Sequence, residues 1–120
     1  MDGEVIQTTT GTYVRCTRSS KPVSTEQDIL DLLACCGEAG SNKIMLDGEY
    51  LHPDFFNLKT GLAGAIFQKF SNYHIKAAIV ADLDGIRSKR FQELVYECNQ
   101  GNLVNFFHDT HKAEIWLTVK

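Results

Sequence analysis

The stretch from residue 75 to residue 81 constrains the fold of this chain more than any other. It is nearly continuously apolar and reads Ile-Lys-Ala-Ala-Ile-Val-Ala. Such a run is expected of a strand that is covered on both faces, as strands are in parallel sheets with helices packed against them. The sequence therefore predicts an α/β protein built around a buried strand.

Strand-like and helix-like segments alternate along the rest of the chain. Gly11 divides two strand-like segments and predicts an N-terminal hairpin. Helical spacing then alternates with short apolar runs, so the predicted order is β-β-α-β-α-β-α-β-α. Ser24 and Gln27 have the spacing of a capping box for the first helix, and Gly40 is typical of a left-handed helix stop. We expect a single domain over residues 1–120 with a mostly parallel sheet, about four helices and an antiparallel strand at one edge.

Charge and composition argue against several classes of protein. The net charge is −3, and the basic cluster Arg87-Ser88-Lys89-Arg90 is typical of a solvated helix start, so no nucleic-acid partner is expected. No apolar run approaches the roughly 20 residues that span a bilayer, and the N-terminal residues lack a signal-peptide pattern. We therefore expect a cytoplasmic protein without a membrane partner, in which the four cysteines stay reduced.

The histidines, cysteines and glycines form no pattern of a metal or cofactor site. The cysteines lack C-x-x-C spacing, and we expect them to be inert core thiols. His108 and His111 form His-x-x-His near the start of the last helix, but a zinc ion would need at least one further ligand. There is no Gly-rich nucleotide fingerprint. No metal and no cofactor is expected.

The segment Asn-Leu-Lys-Thr-Gly-Leu-Ala-Gly, residues 57–64, covers the predicted start of the second main helix. Thr60 within it has two interpretations. Its hydroxyl can cap the helix by accepting a backbone hydrogen bond. Alternatively, the positive end of the helix favours an anion such as a phosphate carried by Thr60, and Gly61 and Gly64 let the backbone of a partner approach closely.

The element order and this segment resemble the STAS domain of bacterial anti-sigma factor antagonists. In that family a strand, a loop and the start of the second helix carry a motif of the type Asp-Ser-Ser/Thr-Gly-Leu-Gly, and a partner kinase phosphorylates the hydroxyl residue before the glycine. Thr60, Gly61 and Leu62 match the end of the motif, whereas Leu58 and Lys59 depart from it. The resemblance implies a STAS-like fold and a non-catalytic regulatory module that is switched at Thr60 and binds a protein partner, such as a kinase or an anti-sigma-type regulator.

Nearly the whole chain also resembles a bacterial family catalogued as a domain of unknown function, DUF4180. The resemblance is carried by the segments ILDLLACCGEAGSNKIMLDGEYLHPDFFNLKTGLAGAIFQKFSNYHIKAAIVADLD and SKRFQELVYECNQG. It implies a STAS-like fold and a bacterial origin, and it implies no activity.

Two candidate sites and three interpretations of the protein remain open. The first site would dock a protein partner, with one exposed ring of the adjacent phenylalanines as an anchor; its candidate residues are Thr60, Gly61, Phe55, Phe56, His52 and Asp54. The second would bind or convert a small molecule at the carboxyl ends of the strands, and its candidates are Asp47, Asp82 and Asp84, with His52 and Asp54 nearby. A homodimer is the third alternative. No catalytic residue is assigned, and a deep pocket would favour the ligand site whereas a flat surface would favour partner docking.

Overall fold

A computed structural model describes residues 3–16 and 25–118 of the chain. In this part of the chain the alternation of strands and helices follows the predicted order. The strands form one sheet in which each strand lies beside its neighbours in sequence. They are β1 (Gly3–Gln7), β2 (Thr12–Cys16), β3 (Lys43–Asp47), β4 (Lys76–Val80) and β5 (Val104–Phe107).

The sheet is parallel except at one edge. β1 pairs antiparallel with β2 in a hairpin around Gly11, while β2, β3, β4 and β5 pair in parallel. The predicted antiparallel edge strand and parallel body of the sheet are therefore confirmed.

Four α-helices occur among the described residues, and none of them is long and apolar enough to cross a membrane. The connection between β3 and the second helix consists of three 3-10 turns, Gly48–Tyr50, Pro53–Phe56 and Leu58–Thr60. The helices are α1 (Glu26–Ala39), α2 (Leu62–Asn72), α3 (Lys89–Gln100) and α4 (Thr110–Thr118).

The two faces of the sheet are covered unequally. Side chains alternate along a strand, so Ile44 and Ile79 pack under α1, α2 and α3, whereas Met45 and Ala78 pack under α4. The α4 helix is fixed to the sheet by polar contacts as well, because the Tyr13 hydroxyl donates to Glu114 Oε1 at 2.8 Å. Three helices thus cover one face of the sheet and a single helix covers the other. At the carboxyl edge of the sheet, α2 and α3 therefore begin on one face and α4 begins on the opposite face.

The caps of α1 correct one detail of the prediction and confirm another. Ser24 lies outside the described residues, and the helix is capped at the next position. There the Thr25 hydroxyl accepts from the Asp28 N–H at 3.2 Å, and the Thr25 N–H donates to Asp28 Oδ2 at 3.1 Å. The capping box of α1 is therefore formed by Thr25 and Asp28, one position after the predicted pair. Gly40 ends the helix with a φ of 69°, as predicted.

The start of α2 also differs from the prediction that it begins at Thr60. Thr60 ends a 3-10 turn, and Gly61 adopts a φ of 76° before the helix begins at Leu62. A left-handed residue cannot continue a right-handed helix, so Gly61 separates the turn from α2. Gly61 is thus required by the backbone itself, because a residue with a Cβ is strained at this φ.

Candidate functional site

A cleft of about 900 Å³ opens at the carboxyl edge of the sheet. The chain leaves β3 and β4 towards α2 and α3 on one face, and it leaves β5 towards α4 on the other face. Connections that diverge to opposite faces leave a crevice beyond the strand ends, which is where open α/β sheets bind ligands. The floor of the cleft is formed by the ends of the strands, at Asp47, Val80, Ala81, Asp82 and His108.

Three segments form the walls of the cleft. The loop after β3 contributes Pro53 and Phe56, with Gly48 and Glu49 at its base. The loop after β4 forms the second wall, through Gly85, Ile86, Arg87 and Ser88. On the α4 side the wall consists of Arg15 from β2 and Thr110 from the first turn of the helix. The lining therefore combines apolar side chains with arginines, hydroxyls and carboxylates.

Gly48 allows the ends of β3 and β4 to approach each other at the floor. A Cβ placed on Gly48 would lie 2.8 Å from the Ala81 Cβ and 3.3 Å from the Val80 carbonyl oxygen. Because real Cβ atoms do not come that close, any other residue at position 48 would push the two strand ends apart. The shape of the floor thus depends on this glycine.

The adjacent phenylalanines do not present the exposed ring that was expected. Phe55 is fully buried and meets Phe67 and Phe91 edge to face, with ring centroids 5.7 and 5.8 Å apart. Phe56 is half-buried, since it packs against Phe91 at 5.4 Å and its remaining surface faces the cleft. The 3-10 turn reverses the chain within these residues, so both rings reach the core and Phe55 offers no surface to a partner.

Arg15 has the most unusual polar environment in the cleft. Its Nη2 donates to both carboxylate oxygens of Asp47 at 3.4 Å and to the Thr110 hydroxyl, also at 3.4 Å. These distances are at the long limit for N–H···O hydrogen bonds, whose usual length is about 2.9 Å. The Nε of Arg15 is buried and has no hydrogen-bond partner among the described residues. Among the residues that the structure describes, the guanidinium therefore makes only the long contacts of Nη2, and its other donors have no acceptor there.

Two helices begin at the cleft and point their positive ends towards it. The Ser88 hydroxyl accepts from the Phe91 N–H at 3.2 Å and caps α3, and Asp109 Oδ1 accepts from the Lys112 N–H at 2.9 Å at the start of α4. The interpretation of Arg87-Ser88-Lys89-Arg90 as a helix start is thereby confirmed. The partial positive charge of the two helix ends and the charges of Arg15 and Arg87 stand beside three carboxylates of the lining, which are Asp47, Glu49 and Asp82.

The residues predicted from the sequence fall into two groups. Asp47 and Asp82 line the cleft, whereas Asp84 is exposed and is not among the lining residues. His52 and Asp54 lie outside the lining as well, and they contact each other, because His52 Nδ1 accepts from the Asp54 N–H at 3.0 Å. The structure therefore does not bring His52 and Asp54 together with Asp82 in one site.

Thr60 is exposed, and its hydroxyl fastens the loop that forms one wall of the cleft. The hydroxyl shares its proton between the carbonyl oxygens of Asp54, at 2.7 Å, and Asn57, at 2.9 Å, and it accepts from the Leu62 N–H at 3.2 Å. It thus joins the turn Pro53–Phe56 to the start of α2. Gly64 is exposed, and a Cβ there would meet nothing within 4 Å, so close helix packing does not explain this glycine.

Sequence reasoning missed Arg15, Ile86 and Thr110 as lining residues. A signal for Arg15 exists, because it is the charged residue in the otherwise uncharged strand Thr-Tyr-Val-Arg-Cys. The period of two places Arg15 on the same face as Tyr13, near the carboxyl end of β2. Ile86 and Thr110 lie in connections whose path cannot be read from a pattern.

The histidines and cysteines do not gather into a metal site in the part of the chain that the structure describes. His108 lines the cleft and His111 does not, and the described residues contain no group of three or more side chains that could hold a metal ion. Burial, with a smaller effect of Cys35, raises the pKa of the Cys36 thiol to about 12. Burial and then Glu97 raise the pKa of Cys98 as well. Both thiols are therefore protonated at neutral pH and poor nucleophiles.

Comparison with known proteins assigns the chain to a family. Searches of curated proteins and of solved structures found no match. A family model does match, and it covers residues 8–117, which include all strands but the first and end within α4. The chain therefore belongs to the family described as a domain of unknown function, DUF4180.

Proposed function

We propose that this protein is a small-molecule-binding domain whose ligand occupies the cleft at the carboxyl edge of the sheet. The observation that carries the proposal is the cleft itself, with a volume of about 900 Å³ and a lining drawn from β2, β3, β4 and the starts of α3 and α4. Ligand pockets have volumes of about 300–1,000 Å³ and combine apolar walls with a few convergent polar groups. The position beyond the carboxyl ends of parallel strands also favours this function.

The lining supports binding rather than catalysis. The polar groups around Arg15 are a carboxylate and a hydroxyl, and within the described part of the chain neither of them is hydrogen-bonded to a base that would make it a nucleophile. Ser88 uses its hydroxyl to cap α3. The proposed domain therefore recognises a ligand without transforming it.

A nuclear magnetic resonance screen of the isotope-labelled protein against a fragment library tests the proposal. Binding fragments should shift the backbone amides of the strand ends and of the loops 48–56 and 85–88. An Ile86→Trp variant, which fills part of the cleft, should weaken these fragments by about tenfold or more, since it removes the space they occupy. Ile115→Trp is the matched control, because Ile115 is 48% exposed and does not line the cleft.

The proposal is contradicted if the shifts map to another surface. It is also contradicted if Ile86→Trp and Ile115→Trp bind the fragments equally well.

A second candidate function is a regulatory module that docks a protein partner at Thr60. The observation in its favour is that an exposed hydroxyl fastens the loop between Asp54 and Leu62. A phosphate on Thr60 would add about −1.5 to −2 charges at neutral pH and would break these hydrogen bonds. Such a change would alter both the loop surface and the adjoining wall of the cleft.

Parallel pull-downs with the wild type and Thr60→Glu test this second function. A partner that is retained by the wild type and by the control Ser71→Glu, but lost with Thr60→Glu, would support a switch at Thr60. Ser71 is a suitable control because it is also exposed and lies at the opposite end of α2. Equal recovery with all three baits would leave Thr60 as a structural residue. Sedimentation velocity would establish whether a homodimer forms.

The resemblance to STAS domains supports further proposals about the fold, origin and role of the protein. The order β-β-α-β-α-β-α-β-α and the match of Thr60, Gly61 and Leu62 to the STAS motif support the proposal that the fold is STAS-like. On the same grounds we propose a bacterial origin and a regulatory role, and we separately propose a cytoplasmic location.

A further inference from the structure

We infer that the ligand of the cleft carries an oxyanion, a carboxylate or a phosphate group, and that Arg15 is the side chain that binds it. The inference rests on the proposed function and specifies the chemistry that the cleft recognises. Four features support it: the unused donors of Arg15, the geometry of its contact with Asp47, the position of α4, and the apolar wall opposite.

The donors of Arg15 are poorly used without a ligand. A guanidinium has five N–H groups, and the contacts of Arg15 with Asp47 and Thr110 all involve Nη2, each at 3.4 Å. Nε is buried and has no acceptor among the described residues. Because the Arg15 side chain is 29% exposed, an oxyanion in the cleft can reach its outer nitrogens, and charge-assisted hydrogen bonds of this kind are strong.

The contact with Asp47 leaves room for such an oxygen. A carboxylate that satisfies arginine binds two of its nitrogens through two parallel hydrogen bonds of about 2.7–2.9 Å. Asp47 instead places both oxygens at 3.4 Å from a single nitrogen. The two side chains are only 29% and 22% exposed, so the charge of Arg15 is partly shielded from water. Asp47 thus keeps Arg15 at the cleft without occupying its second nitrogen.

The α4 helix places its first turn beside Arg15. Thr110, in that turn, contacts Arg15, so the cation lies against the positive end of the helix. The Asp109 carboxylate, which accepts from the Lys112 N–H, offsets part of this positive potential. An oxyanion beside Arg15 would be attracted by the remainder and could accept a hydrogen bond from the Thr110 hydroxyl.

The opposite wall indicates what the rest of the ligand resembles. Phe56 and Pro53 from the loop after β3, together with Ile86 from the loop after β4, provide apolar surface in the same cleft. A ligand with an apolar body and an oxyanionic group would bury its body there and direct the charged group towards Arg15. An inorganic anion alone would leave this surface uncovered and should bind weakly.

Matched chemical pairs test the inference. We would titrate aromatic carboxylates such as benzoate and phosphate monoesters such as phenyl phosphate, each beside a neutral amide or alcohol of the same shape, and follow the amides of the cleft. The best anionic probes should bind the wild type at least about tenfold more tightly than their neutral partners. The carboxylate and phosphate arms show which oxyanion is preferred, and inorganic phosphate measures the contribution of the anion alone.

Two variants assign the preference to Arg15. Arg15→Gln should abolish the advantage of the anionic probes while neutral binding persists. Arg90→Gln removes the same charge from an exposed residue of α3 outside the cleft lining, and it should retain the advantage. If Arg15→Gln fails to fold, Thr110→Val should still reduce the preference, because it deletes the hydroxyl beside the anion.

The outcomes separate this inference from the proposed function. Equal affinity for anionic and neutral probes in the cleft would overturn the inference and leave the ligand-binding function standing. An anionic preference that survives in both Arg15→Gln and Thr110→Val would also overturn it. If no probe of either kind bound in the cleft, the inference and the proposed function would both fail.

Discussion

The side-chain amide of Asn99 occupies the outer edge of β5 at Phe106. Its Oδ1 accepts from the Phe106 N–H at 2.7 Å, and its Nδ2 donates to the Phe106 carbonyl oxygen at 3.4 Å. The carbonyl groups of Leu103 and Phe107 accept hydrogen bonds from β4 and the residue after it, whereas the backbone N–H and carbonyl of Phe106 point away from β4. The Asn99 amide thus binds the backbone groups that a further strand would use. An edge strand with occupied hydrogen-bonding groups is protected from pairing with another chain.

Asn99→Ala should open this edge. The Phe106 N–H loses its acceptor, so we expect the free energy of unfolding to fall by about 1–2 kcal/mol. The unprotected strand should also favour self-association at high protein concentration. Urea denaturation and sedimentation velocity measure the two effects. Asn102→Ala, an exposed position in the loop before β5, is the control, and an equal loss of stability in both variants would contradict the role of Asn99.

Gly48→Ala should destabilise the protein and alter the cleft. The added Cβ would come within 2.8 Å of the Ala81 Cβ, so β3 and β4 must separate at their carboxyl ends. Overpacking of this kind typically costs about 1–3 kcal/mol. Gly64→Ala is the matched control, because Gly64 lies within α2 and a Cβ there meets nothing within 4 Å. The free energy of unfolding of this variant should rise by about 0.5–1 kcal/mol, since alanine favours a helix over glycine. Thermal denaturation measures the two stabilities. A higher melting temperature for Gly48→Ala than for Gly64→Ala would contradict the close approach of Gly48 to Ala81.

The contact of Tyr13 with α4 should make stability fall at high pH. Burial, followed by the hydrogen bond and the charge of Glu114, raises the pKa of Tyr13 from 10.0 to about 12. Above pH 10 the unfolded chain loses the phenolic proton while the folded chain keeps it, so the unfolded state is stabilised relative to the folded state. The stabilisation associated with this proton is present below about pH 10 and is lost as the pH rises to 12, and it amounts to at most about 3 kcal/mol.

The pH dependence of Tyr13 is isolated by comparison with Tyr13→Phe. The difference in the free energy of unfolding between wild type and Tyr13→Phe should shrink as the pH rises from about 10 to about 12. Urea denaturation at several pH values measures this difference, and subtraction removes the effects of other titrating groups. Tyr96→Phe is the matched control, because Tyr96 is 69% exposed. A difference between wild type and Tyr13→Phe that stays constant over this range would refute the prediction.

The order of the elements could be predicted because each element carries its own period. The run from Ile75 to Ala81 indicates a strand buried on both faces, and that is where β4 lies between two helical layers. The boundaries were less predictable. Thr25 and Ser24 are both good helix caps, so the sequence alone could not choose between them. Gly61 adopts a positive φ that no periodic pattern reveals, which is why α2 begins later than predicted.

The candidate site was predictable only where it follows the sheet. Asp47 ends β3 and Asp82 follows β4, so the parallel arrangement was sufficient to bring them to one edge. Arg15 was overlooked because its importance arises from the diagonal contact with Asp47 and from the path of α4, which depend on tertiary packing. His52 and Asp54 were placed near that edge by their sequence position, but the 3-10 turn Pro53–Phe56 keeps their side chains out of the lining.

Removal of the Thr60 hydroxyl should loosen the wall of the cleft without disturbing the sheet. Thr60→Val keeps the shape of the side chain but deletes the hydrogen bonds to Asp54 and Asn57 and the acceptor for the Leu62 N–H. We expect a loss of about 1 kcal/mol in the free energy of unfolding and faster hydrogen exchange at the Leu62 amide. Thr60→Ser retains the hydroxyl and is the control. If the valine and serine variants exchange the Leu62 amide equally fast, the hydroxyl does not fasten the loop, and a phosphate on Thr60 would have to act through its charge alone.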